Sequence, residues 1–437
     1  MPVSDAELSA FATWFAANGG KLSGCRVART AEGCGLVASE AISEGTTVVT
    51  VPHKLVLGVT RAQQANKLGD FLRSGDERVQ GLPAVTVLAL ALLYERSLGA
   101  KSFWKPYLDV LPRSFSIPLF WSAADVMLLQ GSPAFDEFSS FLKFVCRQYC
   151  TLYDAFGSTP GSPLALSSLT LASFMWAVGV VITRRNVVPI VANSAAEECL
   201  IPMWDMCNHR AGRITTIFDP ATNQVVCDAQ EATPAGEQVS IFYGARGVSH
   251  MLIFSGFVPP RSAAHDFVPL WLRLPAPPKD LPHDSPDRRD YELRKRLLES
   301  AKVPPGSHRV TRDAVGEQSL RFVRAVALRG EALVGATLET ISQPLALPQL
   351  EEFALGMLRS ALLELIGAYA LDAAHDATAD VESTGGAVVL SNADMARRLV
   401  ARERGILRDA IAVVDSLLRA NAERVTSVAA PDVDSSK

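Results

Sequence analysis

Two stretches of this chain have the texture of β-strands, and they lie far apart. Between about Cys25 and Leu57, the glycines Gly24, Gly33, Gly35 and Gly45 punctuate short β-branched runs such as Val48-Val49-Thr50-Val51. Residues 200–258 return to that texture, with Asp219-Pro220 and Pro234-Ala235-Gly236 marking turns. A two-stranded hairpin is marginal in water, and three or more strands with an apolar face are needed for independent stability. Neither stretch can stand alone. The economical solution is one β domain assembled from 20–60 and 169–260, interrupted by a helical insertion over 61–168.

The flanking pattern fits that plan. Leu8, Phe11, Trp14 and Phe15 follow a Ser4/Asp5 cap at helical spacing, which predicts an amphipathic helix within 1–19. Val85–Leu93 is apolar nearly all round and predicts a buried helix. Phe138, Phe141, Leu142, Val145 and Tyr149 recur at i+3 and i+4 spacing. Gly157–Pro163 reads as a loop, and Leu169–Arg185 as a further buried helix stopped by Pro189. A proline cluster from Pro259-Pro260 to Pro286 opens a second unit, helical over 261–424, with a loop at Asp372–Gly386 and a disordered tail over 425–437.

Composition limits the function classes. Hydrophobic residues make up 48% and charged residues 20% of the 437, with a formal charge of −4. That is a globular balance, without the excess of Lys and Arg that tracking phosphates or an anionic membrane requires. The seven cysteines all fall in the first 227 residues and read as reduced thiols. Met1-Pro2-Val3-Ser4-Asp5 has no basic, apolar leader, and the longest apolar runs fall well short of the roughly 20 residues that a bilayer span needs. The expectation is a soluble monomer of the cytoplasm, with the nucleus as a second location and no metal.

Three segments carry chemistry. In Glu32-Gly33-Cys34-Gly35-Leu36, Gly-x-Gly lets backbone approach a ligand, although alone it is more often a plain hairpin turn. In Pro202-Met203-Trp204-Asp205-Met206-Cys207-Asn208-His209, an acid, an amide and an imidazole crowd beside a large aromatic. A capped turn with a core histidine accounts for it equally, and a zinc site from Cys199, Cys207, His209 and Cys227 fits no common ligand spacing. Ser240-Ile241-Phe242-Tyr243-Gly244, followed by Arg246 and Phe254-Ser255-Gly256-Phe257, reads alone as a strand ending in a turn, with a core tyrosine.

Taken in order, these segments are specific. A Gly-x-Gly strand, a helical insertion, Trp176-Ala177 before Thr183-Arg184-x-Asn186, then Asp205-x-x-Asn208-His209 and Phe242-Tyr243-Gly244 resemble the SET-domain methyltransferases. Phe103-Trp104-x-Pro106-Tyr107, Val51-Pro52-x-Lys54-Leu55, Ile214-Thr215-Thr216 and Gly236-Glu237-Gln238 extend the likeness to the split-SET, Rubisco-methyltransferase-like branch. The likeness is strong over about 20–275 and thinner beyond. It implies an α+β fold: a β-rich SET domain of small sheets with a pseudoknot and a helical insertion, then an all-α C-terminal substrate-binding domain. It implies S-adenosylmethionine as cofactor. Arg184 resembles the partner of the cofactor carboxylate. Asn208 and His209, with Asp205 beside them, resemble the segment holding its amino-acid and adenine parts. Glu32, Cys34 and Ser255 match further cofactor-facing positions, though the family usually has an aromatic in place of Cys34. Tyr243 matches the catalytic tyrosine, and Arg147, Asn186, Trp204 and Arg246 match substrate-side positions. No cysteine follows Cys227, so the zinc-bound tail of many SET proteins is not expected.

The resemblance leaves lysine or histidine as the acceptor, and their pKa values differ in what they ask of the site. A free lysine, with pKa near 10.4, must lose a proton at a cost of about 4–5 kcal/mol at pH 7. An imidazole, with pKa near 6.5, is already mostly neutral and needs only its tautomer fixed. An amide can do that, and Asn186 is an amide where related lysine enzymes commonly carry an aromatic. Read without its context, Asn186 is more often a helix C-cap. The expected activity is therefore histidine N-methylation of a protein, with actin as the substrate that this part of the family points to, and no nucleic-acid or membrane partner. The rivals are a SET lysine methyltransferase and a non-catalytic docking scaffold.

Overall fold

A computed structural model describes residues 2–64, 66–189, 191–192, 194–260, 265–282, 284–370 and 390–429. Two compact units divide the described residues: those within 2–122, 136–260 and 390–392 form one, and those within 123–135, 265–370 and 393–429 the other.

The first unit carries strands β1 (Lys21–Leu22), β2 (Cys25–Thr30), β3 (Gly33–Ala38), β4 (Thr47–Pro52), β5 (Leu57–Gly58), β6 (Asn186–Val188), β7 (Glu197–Leu200), β8 (Asn208–His209), β9 (Thr216–Asp219), β10 (Gln224–Asp228) and β11 (Gln238–Ile241). They form three small sheets, ordered β1-β4-β10-β9, β2-β3-β11-β8 and β5-β7-β6. Each sheet joins the two sides of the insertion, through β4 with β10, β3 with β11 and β5 with β7. The two distant β stretches complete one another, as their shortness requires.

Helices cover those sheets. Asp5–Ala17 starts at a capping box between Ser4 and Glu7. Ala84–Ser97 is buried along its whole run from Val85 to Tyr94 and packs on Leu171–Arg184. Arg185 caps that second helix, so Asn186 is not a C-cap: it opens β6. The stretch 248–255, which carries no turn residues and reads as part of the strand region, is a helix, Val248–Ser255. Gly256 ends it at φ 81°, where an added Cβ would lie 3.3 Å from the Ile117 backbone nitrogen, so both handedness and space call for glycine.

The second unit has its own core, around Leu298, Phe322, Leu355, Leu358 and Leu407. Among the described residues it is helical apart from one antiparallel pair that the helical pattern did not include, β12 (Val268–Leu272) with β13 (Gly306–Val310). The alternation Val268, Leu270, Leu272 inward and Trp271 outward was its signal. Ala123–Phe135, inside the helical insertion in sequence, belongs to this unit, where the Ala370 N–H donates to the Gln130 carbonyl at 3.1 Å. The loop expected at Asp372–Gly386 lies outside the described residues, as do 430–437; helix Asn392–Ala429 runs into the start of the expected tail. No helix among the described residues is long and apolar enough to cross a membrane.

Candidate active site

Leu171–Arg184 begins at a capping box of Thr170 and Ser173, buries Phe174, Ala177, Val178, Val180 and Val181, and delivers Arg184 in its last turn. A cation there is favoured by the helix dipole. Arg184 Nη1 donates to the Asp205 carbonyl at 2.7 Å and lies 3.4 Å from Asp205 Oδ2. The Tyr107 hydroxyl donates to that same Oδ2 at 2.6 Å. Burial raises the Asp205 pKa, and Arg184 works against it. Burial opposes the charge on Arg184, yet Asp205 and then Tyr107 carry its pKa upward. One buried polar atom of each side chain in this pair, Arg184 Nε and Asp205 Oδ1, has no partner among the described residues. Such atoms cost about 1–3 kcal/mol each unless something satisfies them.

Asp205 is placed by a strained backbone. Met203, fully buried, holds φ 75° and ψ −47°, a γ-turn conformation that costs roughly 1–3 kcal/mol outside glycine. It turns the chain into the single 3-10 turn Trp204–Met206. Trp204 is nearly buried, and its Nε1 donates to Thr216 Oγ1 at 2.7 Å.

Beyond that turn, β8 pairs in parallel with β11, opposing Asn208 to Ser240 and His209 to Ile241. Gln238 on β11 links two expected site residues: Asn208 Nδ2 donates to Gln238 Oε1 at 2.7 Å, and Gln238 Nε2 donates to Glu32 Oε2 at 2.9 Å. This relay ties the β2–β3 turn to β8. Cys34, half-buried on β3, is held as a thiol by burial, with the nearby Arg184 charge pulling the other way.

Tyr243 follows β11 directly. Its N–H donates to His209 Nδ1 at 3.2 Å, so the His209 proton sits on Nε2. Burial lowers the His209 pKa to about 4, and the ring is neutral at neutral pH. The Tyr243 hydroxyl donates to the Cys207 carbonyl at 2.9 Å, and burial raises its pKa, keeping it a phenol. Phe257 packs against both rings, with centroids 5.6 Å from His209 and 6.4 Å from Tyr243. Ser255, two residues earlier, closes helix Val248–Ser255.

The substrate-side residues are less connected. Asn186 pairs with Cys199 across β6 and β7, and its Oδ1 accepts the Val187 N–H at 2.8 Å. Arg246 Nη1 lies 3.2 Å from His250 Nε2. Arg147 is exposed on helix Pro133–Ser158, and no hydrogen bond or ion pair among the described residues joins it to the others. No cluster of three His, Cys, Asp or Glu side chains among the described residues is placed to hold a metal ion. Tyr107, Gln238, Thr216, His250 and Phe257 complete the site without a role read for them in the sequence. Tyr107, Thr216, Gln238 and Phe257 stand inside motifs quoted above, but their partners do not.

In fold the chain is a SET-domain protein of the Rubisco LSMT type. It matches a structure of the SET domain of LSMT bound to lysine and AdoHcy with a TM-score of 0.76 at 20% identity, over 97% of this chain and 94% of that one. It matches Rubisco LSMT bound to AdoMet with a TM-score of 0.73 at 20% identity, over 98% and 97%. The chain belongs to the family of the actin-histidine N-methyltransferases, several of which are among its curated relatives. It is 33% identical over 327 residues to that of Gallus gallus, covering 73% of this chain and 52% of the relative. To those of Homo sapiens and Xenopus tropicalis it is 32% identical, over 73% and 74% of this chain and 52% and 54% of the relatives. The chain thus spans about half the length of the curated relatives it matches. No family model matches it.

Proposed function

We propose that this chain transfers a methyl group from S-adenosylmethionine to a histidine nitrogen of a protein, and that the protein is actin. When bound, the cofactor supplies an electrophilic methyl carbon whose bond to sulfur breaks as the acceptor lone pair forms the new bond. The residues fit such a ligand: Arg184 Nε is a buried cationic donor without a partner, facing the need of a carboxylate, and Asp205 Oδ1 is a buried acceptor without one. Asn208 and Glu32, braced through Gln238, together with His209, Cys34 and Ser255 complete the proposed cofactor side.

The observation that carries the histidine reading is the Asn186 amide, whose Oδ1 accepts only the Val187 N–H among the described residues. Tyr243 is held as a neutral phenol and His209 as a neutral imidazole with pKa about 4. An imidazole acceptor is mostly neutral at neutral pH and needs no base there. The Asn186 carbonyl oxygen has two lone pairs, of which the Val187 N–H takes one. The other can accept the N–H of the acceptor ring and so leave the opposite nitrogen with its lone pair free. Because the Tyr243 hydroxyl spends its proton on the Cys207 carbonyl, its own lone pairs are open to polarised methyl C–H groups. Trp204 and Arg246 wall the acceptor side, with Arg147 at a further protein contact. The cytoplasm, where actin is abundant, is the proposed location, and the second unit is the proposed protein-binding part.

Incubating the full chain with actin and labelled cofactor tests this. Label on a histidine supports it, and label on lysine alone overturns it. A lysine acceptor is the second reading, favoured by the lysine and methyllysine bound to fold neighbours. Asn186→Phe separates the two: histidine activity should fall about 100-fold if the amide sets the tautomer, whereas a lysine enzyme should keep its preference.

A further inference from the structure

A groove of about 780 Å³ opens in the second unit, and no residue of the proposed methyl-transfer site lines it. Its lining is mostly apolar: Leu298 is buried, Leu274 and Tyr291 are half-buried, and Pro304 and Pro305 are exposed. Tyr291, Lys295, Leu298 and Glu299 stand at i, i+4, i+7 and i+8 on helix Pro286–Ser300, so one helix face forms a wall. Arg273 continues the outward side of β12, the side on which Trp271 is 66% exposed. Lys302 follows the helix cap at φ 54°, where glycine is the default residue. The rim thus carries three cations, Arg273, Lys295 and Lys302, against the single carboxylate Glu299. None of the three has an ion pair among the described residues, whereas Arg312, Arg324 and Arg359 of the same unit are paired with Asp409, Glu351 and Asp415.

A mostly apolar lining inside an uncompensated cationic rim matches one ligand chemistry: a bulky apolar side chain flanked by carboxylates. A small anion would leave the apolar lining uncovered, and an uncharged apolar segment would leave the rim unanswered. We propose that this groove docks an acidic segment of the protein substrate, remote from the methylated residue and bearing an exposed aromatic or aliphatic side chain. The proposal rests on the reading that the substrate is a protein, and it gives the second unit its share of recognition. Docking there raises the effective concentration of the acceptor at the first unit, so it acts on KM and leaves the chemical step alone.

The test has two arms on the full chain. A fluorescein-labelled peptide of alternating aspartate and leucine is titrated by anisotropy at low salt. Saturable binding is expected, weakened at least about tenfold by the double change Arg273→Glu with Lys295→Glu, and weakened also by Tyr291→Ala and by raised salt. In the second arm the double variant should raise KM for whole actin about tenfold while its kinetics on a short histidine-centred actin peptide stay within about twofold. Should the double variant melt early, Lys302→Glu, exposed and outside the helix, replaces it. Peptide binding indifferent to these changes, or an unchanged KM for actin, overturns the proposal. Variant-sensitive capture of phosphatidylserine vesicles without peptide binding overturns it in favour of a lipid surface. If actin is not methylated at all, the peptide titration still decides the groove, so the two readings fail separately.

Discussion

At the residue scale the site is a set of groups held in their neutral or paired forms by burial. Tyr243 is the sharpest case. Its hydroxyl is fixed by the Cys207 carbonyl and its N–H fixes the tautomer of His209. Tyr243→Phe keeps the ring and the N–H but removes the oxygen. Turnover should fall about 100-fold, the size of losing one placed polar group in a transition state, while cofactor affinity by calorimetry stays within a few-fold. Loss of cofactor binding instead would assign the hydroxyl a structural role. The two histidines give a pH signature. His209 and His250 each have a folded pKa lowered to about 4, His209 by burial and His250 by burial with the Arg246 and Arg185 charges. An unfolded histidine takes its proton near pH 6.5. The unfolded chain therefore binds more protons between about 6.5 and 4. The stabilisation is complete above 6.5 and declines as pH falls through that window. Urea midpoints at pH 7, 6 and 5 should track the loss, and His250→Gln should flatten the slope in part, because His209 and His308, whose pKa burial also lowers, remain; an unchanged slope would mean that His250 does not titrate there. Tyr107 and Gln238 mark the limit of sequence reading at this scale. Their types and positions were visible, but the partners lie 98 residues away for Tyr107 with Asp205 and 30 for Asn208 with Gln238. A hydrogen bond across such a separation leaves no periodicity.

At the element scale the parallel pairing of β8 with β11 makes the site. It sets Asn208 and His209 beside the strand that leads into Tyr243, and β3 joins the same sheet on the other edge of β11. The Gly-x-Gly segment, weak as a motif, gains a reason here. A Cβ on Gly35 would lie 2.9 Å from Gln238 Oε1, 2.8 Å from Thr30 Cγ2 and 3.2 Å from Asn208 Nδ2. Gly35→Ala must therefore push apart the Asn208–Gln238–Glu32 relay without touching the proposed acceptor pocket. Cofactor affinity should weaken about tenfold, the worth of one hydrogen bond of about 1.4 kcal/mol, with little change in turnover at saturating cofactor. Calorimetry against single-turnover rates checks the split. Strands were legible because glycine and proline punctuate them. Helix Val248–Ser255 was not, because it is short, is buried on several sides and has no side-chain N-cap. Strands β12 and β13 were hidden within a long helical stretch, where two five-residue elements cannot outweigh the surrounding period.

At the scale of the whole molecule the split domain was legible for a thermodynamic reason: short β segments need partners, and only the far segment could supply them. The assignment of Ala123–Phe135 to the second unit was not, since nothing in its pattern distinguishes it from the helices around it. The two units have separate hydrophobic cores, and the second contains a buried ion pair. Arg324 and Glu351 are about 95% or more buried, joined by contacts of 2.8 to 3.0 Å, and Glu351 Oε2 also accepts the Leu345 N–H at 2.9 Å. Breaking such a pair by removing one charge strands the other in a medium that solvates it poorly, at a cost of about 3–5 kcal/mol. Glu351→Gln should therefore loosen the second unit while the β sheets of the first keep their protection. Hydrogen exchange reads this directly: faster exchange across helices Glu317–Ala327 and Pro348–Gly367, with β3, β10 and β11 unchanged. Equal acceleration in both units would show that they unfold as one cooperative body. The short acceptor peptide gives the functional counterpart, because a first unit that holds its fold should still methylate it when whole-protein recognition is lost.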